Sequence, residues 1–121
     1  IPLVCDGKTM DAGRLEMEAA AKAGATIATV LGVASDSTLR ECVEAGRNVG
    51  VQVLVDLLGC PDPVERARFA EEIGADLVNV HCPIDEQMRG HDPFPVFVEN
   101  RLRIEAEVIG EQRRAVRTLV F

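Results

Sequence analysis

The chain has 121 residues, of which 47% are hydrophobic, and this is enough to form the core of one domain. Twenty acidic and 13 basic residues give a net charge of −7, and aromatic residues make up only 3% of the chain. Such a chain lacks the basic patches and stacking surfaces with which proteins bind nucleic acids and anionic membranes. The composition therefore predicts a globular domain that binds neither nucleic acid nor membrane.

Predicted strands and helices alternate along the first 80 residues, beginning with a short apolar strand at 2–5. A glycine followed by an apolar β-rich run then occurs three times, at Gly24, Gly50 and Gly74. A glycine in this place suits the left-handed residue that ends a helix. The pattern predicts helices over 13–22, 37–48 and 62–73 and strands over 27–33, 51–58 and 76–80.

The predicted strands are almost continuously apolar, as in parallel sheets that are covered on both faces. Strands that alternate with helices indicate an α/β fold with right-handed crossovers. The repeated glycines lie 26 and 24 residues apart, a unit length typical of a (β/α)8 (TIM) barrel, for which eight units need about 200 residues. We therefore predict a partial (β/α)8 barrel of about four βα units with parallel strands.

The end of the chain has a different charge balance. Residues 1–95 carry 8 basic and 16 acidic groups, whereas residues 96–121 carry 5 and 4. Apolar residues at helical spacing predict one amphipathic helix or two short ones over 100–121. We therefore predict a half-barrel domain, 1–95, and a C-terminal helical tail, 96–121, which covers an exposed surface or contacts another subunit.

Four polar residues come at the ends of the predicted strands, where β/α folds bind their ligands. Asp6 and Lys8 follow the first strand, Asp56 lies late in the third, and His81 follows the fourth. Asp6 and Lys8 are two residues apart, so their side chains share a face if the strand extends through them. A carboxylate can hold a divalent metal, a lysine can stabilise an oxyanion, and a histidine can move protons near neutral pH.

Each of these residues also has a structural interpretation. Asp6 can serve as a cap or turn residue, Lys8 as a solvated partner of Asp6 or Asp11, and His81 as a hydrogen-bonded core histidine. Asp56 is harder to explain in this way, because a lone carboxylate inside an apolar strand is costly to bury without a partner. Lys8 is the natural candidate for that partner.

The four cysteines, at 5, 42, 60 and 82, form no C-x-x-C pair, which argues against a disulfide framework and a zinc ribbon. Reduced thiols are typical of a cytoplasmic protein. No apolar run approaches the roughly 18 residues that span a bilayer, and we identify no charged-then-apolar leader at the start. We therefore expect a cytoplasmic location.

Four blocks of sequence, in order, resemble one enzyme family. Residues 4–13 contain an Asp-x-Lys-x-x-Asp motif, formed by Asp6, Lys8 and Asp11, and further blocks lie at 29–34, 55–67 and 80–87. These blocks are similar to the hexulose-6-phosphate synthase and 3-keto-L-gulonate-6-phosphate decarboxylase family of the orotidine monophosphate decarboxylase superfamily. The resemblance covers about residues 3–93, and we see none in the tail.

This resemblance implies a (β/α)8-barrel lyase that dimerises through the barrel rim and joins formaldehyde to ribulose 5-phosphate, using Mg²⁺ and an enediolate intermediate. Sister enzymes decarboxylate 3-keto-L-gulonate 6-phosphate. By the same resemblance, Asp6 is a metal ligand, Lys8 stabilises the enediolate, and Asp11 positions a lysine, across the dimer in one arrangement. Asp56 corresponds to the acidic residue on the later strand. His81 corresponds to the histidine that transfers a proton or contacts the substrate.

Two functions remain open at this point. The resemblance assigns the chain to the third to sixth barrel strands, so the family's glycine-rich phosphate loops and a second acidic metal ligand have no counterpart in it. In one interpretation the chain is a lyase of carbohydrate metabolism that binds a sugar phosphate and forms a homo-oligomer, most simply a dimer, which covers its unpaired sheet edges. In the other it is a non-catalytic truncated or recombined barrel fragment that folds as an oligomer and binds a partner or sugar phosphate weakly.

Overall fold

The structure is a computed structural model that describes residues 1–92, 94–109 and 117–120. Strands and helices alternate along these ranges. In chain order they are β1 (Val4–Thr9), α1 (Gly13–Lys22), β2 (Ile27–Leu31), α2 (Asp36–Val49), β3 (Gln52–Asp56), α3 (Pro63–Glu72), β4 (Leu77–Val80), α4 (Ile84–Met88), α5 (Phe94–Ile104), a π-helical segment (Glu105–Ile109) and β5 (Arg117–Val120).

The five strands form one sheet in the order β1-β2-β3-β4-β5, and every neighbouring pair is parallel. Each connection therefore leads to the next strand along, with at least one helix in between. This is the sheet order of a (β/α) barrel. It confirms the predicted partial barrel with parallel strands.

The two faces of the sheet carry different residues. Val30, Val55 and Val78 lie in register on β2, β3 and β4 and are fully buried in the core beneath the helices. Because side chains alternate along a strand, the residues between them face the opposite side. Asp56 and Asn79, also in register, line a cavity on that side.

The helix-to-strand junctions repeat the same local structure. Gly50 ends α2 with φ = 75°, in the left-handed region that L side chains rarely adopt, and Gly24 and Gly74 have φ values of 87° and 84°. At each junction the next backbone N–H donates to the carbonyl five residues back, as in a Schellman motif. These bonds are Ala25 to Ala20 (3.0 Å), Val51 to Gly46 (2.9 Å) and Ala75 to Ala70 (2.9 Å). The predicted role of the three glycines is confirmed.

Side chains cap the starts of two helices, α2 and α3. Ser35 precedes α2, and its Oγ accepts a hydrogen bond from the backbone N–H of Thr38 at 3.2 Å. Asp62 precedes α3 and accepts from the N–H groups of Val64 and Glu65 at 3.1 and 3.0 Å. These bonds satisfy N–H groups that lack a partner within the helix. Both helices therefore have well-defined starts shortly after the carboxyl ends of β2 and β3.

The tail differs in part from its prediction. Helix α5 packs against α3, and its Ile104 is fully buried in the main core. Arg117–Val120, however, forms β5, which pairs with β4, so the prediction of a helix is wrong for these residues. Pairing with β4 satisfies backbone groups that an open strand edge would leave unpaired. This gain outweighs the preference for a helix that the spacing of apolar residues indicates. The helix prediction for 110–116 and 121 lies outside the described residues, and the division at residue 95 stays a prediction.

Two further expectations concern the cysteines and membrane-spanning segments. All four cysteines lie in the described part of the chain and carry free thiols. Within the same part, no helix has both the length and the apolar character that crossing a bilayer requires.

Helix α2 packs so closely on β3 that Gly46 has no room for a side chain. A Cβ there would lie 2.6 Å from Cγ2 of Val53 and 2.7 Å from the carbonyl oxygen of Val51. We expect Gly46→Ala to lower the free energy of unfolding by about 1–3 kcal/mol, although alanine favours helices more than glycine does. Urea denaturation measures this change, with Asn48→Ala at an exposed position of α2 as the control. Equal stability of the two variants would show that the helix can shift away from the sheet.

Candidate functional site

Asp6 and Lys8 form an ion pair on β1. The strand extends through both residues, and Lys8 Nζ lies 2.8 Å from Oδ1 and 2.7 Å from Oδ2 of Asp6. The prediction that they share a face is confirmed. Their side chains are 61% and 36% exposed, so this pair contributes little to stability. Both charged groups are instead accessible to a ligand.

Thr29 on β2 supports this pair. Its hydroxyl donates to Asp6 Oδ1 at 3.2 Å and accepts from the backbone N–H of Lys8 at 2.9 Å. Lys8 has φ = 46°, a left-handed conformation that is uncommon outside glycine, and the register between β1 and β2 shifts between Cys5 and Thr9. Strained backbone of this kind is concentrated at functional sites, where surrounding contacts hold it. Thr29 therefore helps to determine where the Lys8 ammonium group lies.

Asp56 and His81 form a second pair, at the ends of β3 and β4. The Asp56 side chain is 3% exposed, and its Oδ2 lies 2.9 Å from Nδ1 of His81, whose side chain is 23% exposed. Its Oδ1 accepts from the backbone N–H of Leu58 at 3.0 Å. Lys8 Nζ, the expected partner, is 4.0 Å from Oδ2. His81 is thus the closer partner, because Lys8 is directed to the more exposed Asp6.

The two pairs face one cavity of about 300 Å³ at the carboxyl ends of the strands. The pairing of Nδ1 with Asp56 leaves Nε2 of His81 for a ligand. The cavity therefore combines an ammonium group, two carboxylates and an imidazole over an apolar base. It is lined by Val4, Asp6, Lys8, Thr29, Leu54, Asp56, Asn79 and His81.

Asp11 lies apart from these residues. Its Oδ1 accepts from the backbone N–H of Ala12 at 2.8 Å, and it lines a different cavity of about 420 Å³ between the starts of α1 and α2. The structure therefore does not bring Asp11 to the other predicted site residues within one chain. Its predicted role in positioning a lysine stays a prediction.

Two residues of the cavity were missed at the sequence level. The sequence prediction places Thr29 and Asn79 in apolar strands and gives neither a role in the site. The signal was nevertheless present: each is a polar residue inside an apolar run, and Asn79 lies two positions before His81, on the same face. A polar residue in a strand that is otherwise apolar on both faces requires a partner or a ligand.

The charge of Lys8 controls the ionisation of Asp6. Hydrogen bonds from Lys8 are the largest influence and hold the pKa of the Asp6 carboxyl below its ordinary value of 3.8. Partial burial opposes them, whereas the charge of Lys8, the hydroxyl of Thr29 and the charge of His81 lower the pKa further. A lowered pKa keeps Asp6 anionic as the pH falls below 3.8. The stabilisation from this contact is present above that value and is lost as the pH falls through the lowered pKa.

We expect Lys8→Met to raise the pKa of Asp6, because the substitution removes the largest lowering contribution. A pH titration followed by carboxyl ¹³C NMR measures this pKa. The matched control is Arg14→Met, which removes an exposed cation of α1 that pairs with Glu41 instead. If the pKa of Asp6 is the same in the Lys8→Met variant as in the parent, the hydrogen bonds described above do not persist in solution.

The sequence model of the orotidine 5′-phosphate decarboxylase / HUMPS family matches residues 1–69, more than half of the chain. The chain belongs to this family. It is 46% identical over 84 residues to 3-hexulose-6-phosphate synthase of Mycobacterium gastri, covering 69% of this chain and 41% of that protein. It is 35% identical over 116 residues to 3-hexulose-6-phosphate synthase 3 of Staphylococcus saprophyticus, covering 96% of this chain and 53% of that protein.

Solved structures of family members have the same fold. The 3-hexulose-6-phosphate synthase from Salmonella typhimurium superposes with a TM-score of 0.82 at 34% identity, covering 99% of this chain and 53% of that chain. The 3-keto-L-gulonate-6-phosphate decarboxylase from Vibrio cholerae superposes with a TM-score of 0.78 at 19% identity, over 98% of this chain and 62% of that chain. At 19% identity, the similarity to the decarboxylase is evidence for the fold alone.

The comparisons also show how far the similarity to the family extends. The chain spans about half the length of the family members it matches, 41% and 53% of the two synthases above. The match to the second synthase covers 96% of this chain, so similarity to the family continues beyond residue 93. The expectation that the tail bears no resemblance to the family is therefore wrong. Short sequence motifs did not show this similarity in the tail. An alignment over 116 residues detects it.

The donor set of the cavity fits a magnesium ion. Mg²⁺ is usually held by one or two carboxylates, with water and substrate oxygens completing its ligands. Asp6 and Asp56 supply two carboxylates to the cavity, and Asp6 is the accessible one. In the ranges that the structure covers, no three His, Cys, Asp or Glu side chains are grouped as a complete metal site. Asp6, the more exposed of the two carboxylates, is the residue that would hold such an ion.

Proposed function

We propose that this chain forms catalytic machinery of a 3-hexulose-6-phosphate synthase-like lyase, which joins formaldehyde to ribulose 5-phosphate through an enediolate. The meeting of the Asp6–Lys8 and Asp56–His81 pairs in one cavity is the observation that carries this proposal. The names of the relatives at 34–46% identity support it. A cytoplasmic location accords with free thiols at all four cysteines.

In this proposal Lys8 stabilises the enediolate. Removing a proton from a carbon next to the ribulose 5-phosphate carbonyl places negative charge on the enediolate oxygens. The Lys8 ammonium group, which is accessible from the cavity, lies where such an oxygen can bind. A positive charge that is held in place before the reaction stabilises the enediolate more than mobile water does.

His81 carries the proton. Its Nε2 takes the proton that leaves the substrate carbon, and the enediolate carbon then bonds to formaldehyde. The same proton passes to the oxygen of formaldehyde, which becomes a hydroxyl group. Asp56, bonded to Nδ1 at 2.9 Å, orients the ring and stabilises its charged form.

Asp6 is the proposed ligand of Mg²⁺. The metal, when bound, adds positive charge beside the substrate oxygens. Lys8 and Thr29 hold the Asp6 carboxylate in position and, through the lowered pKa, keep it anionic. Binding of the metal requires it to replace Lys8 Nζ at an Asp6 oxygen, because both oxygens contact that ammonium group.

We further propose that the protein acts as a homodimer. Among the strands of the described ranges, β1 and β5 each have a neighbour on one side only, and the residues that lead into β1 are exposed. An unpaired parallel edge favours association. Asp11, which faces a different cavity from the other site residues, would then position a lysine across the interface.

The alternative function is that of a non-catalytic partial barrel that folds as an oligomer and binds a partner or sugar phosphate weakly. The observation that favours it is that both carboxylates of the cavity are already bonded within the protein. Both oxygens of Asp6 contact Lys8 Nζ, and those of Asp56 contact the Leu58 N–H and His81 Nδ1.

An assay of formaldehyde consumption with ribulose 5-phosphate and Mg²⁺ tests the proposal. We expect consumption that requires all three components and that EDTA abolishes. Decarboxylation of 3-keto-L-gulonate 6-phosphate is measured in parallel, because the sister enzymes act on that substrate through a similar intermediate. Turnover of neither substrate, together with retained sugar phosphate binding, would favour the non-catalytic alternative.

A further inference from the structure

Asn79 is a buried polar residue of the cavity that belongs to neither the Asp6–Lys8 nor the Asp56–His81 pair. It lies on β4, in register with Asp56 and two positions before His81. Its side chain is on the cavity side of the sheet, whereas its neighbours Val78 and Val80 belong to the core beneath the helices. The residue is 4% exposed. The fold therefore places an amide group in the cavity, next to the proposed acid–base pair.

The Asn79 side-chain oxygen has no hydrogen-bond donor among the residues that the structure describes. The donors that share its cavity are directed to carboxylates. Lys8 Nζ and the Thr29 hydroxyl are bonded to Asp6, and His81 Nδ1 is bonded to Asp56. Burying an amide oxygen without a donor costs free energy, so such a group in a native structure requires an explanation.

A ligand with hydroxyl groups would satisfy this oxygen. Oδ1 of Asn79 accepts hydrogen bonds, so it needs a ligand group that donates one. A phosphate group presents only acceptor oxygens at neutral pH, and the carboxylate of Asp56 on the neighbouring strand repels it. The hydroxyl groups of a polyol donate and carry no charge. The chemistry around Asn79 therefore selects the polyol part of a sugar phosphate over its phosphate end.

We propose that Asn79 is a substrate-orienting residue, whose Oδ1 accepts a hydrogen bond from a hydroxyl group of the sugar phosphate and thereby directs the phosphate away from the Asp56–His81 pair. This inference rests on the proposed function and specifies how the substrate lies in the cavity. It also gives the unpaired oxygen a use. This oxygen destabilises the free protein, and it stabilises the complex because the bound sugar phosphate supplies the missing hydrogen bond.

Asn79→Leu tests the proposal, because leucine has a similar volume and removes the amide. The probes are ribitol 5-phosphate, a reduced polyol phosphate that cannot form an enediolate, and inorganic phosphate, both titrated calorimetrically into the full chain. We expect Asn79→Leu to weaken ribitol 5-phosphate binding about three- to tenfold, the value of one neutral hydrogen bond, and to leave phosphate binding unchanged. Its Tm should equal or exceed that of the parent, because no unpaired oxygen remains buried.

Asn48→Leu, the same change at an exposed position of α2, is the control and should alter neither affinity. Unchanged ribitol 5-phosphate affinity in Asn79→Leu would overturn the proposal. A fall in Tm of several degrees would also overturn it, since Asn79 would then have a structural partner. A parent protein that binds no polyol phosphate overturns both this inference and the proposed function. Weakened binding without any formaldehyde turnover supports the inference and contradicts the catalytic proposal.

A second measurement uses the unsubstituted protein, so it does not depend on how the variant folds. Selective ¹⁵N labelling of the three asparagines, Asn48, Asn79 and Asn100, gives separate side-chain amide signals. We expect ribitol 5-phosphate to shift the Asn79 signals, and n-propyl phosphate, which has no hydroxyl group on its carbon chain, to leave them in place. Equal shifts with the two compounds would contradict a bond to a hydroxyl group.

Discussion

Lys8→Ala is expected to lower kcat/KM for ribulose 5-phosphate and formaldehyde about 100- to 1000-fold, the usual loss when one preorganised group that stabilises an oxyanion is removed. The stability of the fold should hardly change. Lys8 is more than one-third exposed, and its contact with Asp6 is an ion pair open to solvent. The expected signature is therefore a large kinetic loss with an unchanged urea unfolding curve.

Steady-state kinetics of parent and variant, at saturating Mg²⁺, measure this effect. The matched control is Lys22→Ala, which removes a lysine in the last turn of α1, far from the cavity lining. Its rate should equal that of the parent. Equal rates in the parent and in Lys8→Ala would contradict the catalytic proposal, because the strained backbone of Lys8 would then serve no chemical step.

Asp56→Ala is expected to reduce both stability and activity. The substitution leaves the backbone N–H of Leu58 and Nδ1 of His81 without their acceptor in a buried place, which we expect to lower the free energy of unfolding by about 2–3 kcal/mol. Without Asp56 the imidazole ring also loses its orientation, so the rate should fall even where the protein remains folded.

Urea denaturation near pH 7 and the formaldehyde assay measure the two effects. Asp56→Asn retains an acceptor oxygen for the N–H of Leu58, so its loss of stability should be about half as large. Asp85→Ala at an exposed position of α4 is the control and should have no effect on either measurement. A stability of Asp56→Ala equal to that of the parent would mean that water replaces the carboxylate, and that the site is wetter than its burial indicates.

The barrel units were predictable because each one carries its own signals. The glycine after each helix, the apolar runs and the spacing all lie within one unit, and the structure repeats the same hydrogen bond at each junction. Strand β5 had no such signal. Its pairing with β4 depends on an available edge far away in the sequence, and local spacing alone favoured a helix.

The candidate site was predictable in its members and less so in its contacts. Strand ends identified Asp6, Lys8, Asp56 and His81, but the sequence indicated Lys8 as the partner of Asp56, whereas His81 is the closer one. That choice depends on the irregular path of β1 and on Thr29, which directs Lys8 towards Asp6. Asn79 was overlooked because a single amide in an apolar strand has no recognisable motif, and only the three-dimensional arrangement shows its unpaired oxygen.

The order of the strands has a consequence for how binding affects unfolding. Asp6, Thr29, Asp56 and Asn79 come one each from β1, β2, β3 and β4, and successive strands contact only their immediate neighbours in the sheet. A ligand that touches all four residues therefore connects units that otherwise depend on pairwise contacts along the sheet. Partial unfolding of any one unit would break the site, so ligand binding opposes fraying from the β1 edge as well as global unfolding.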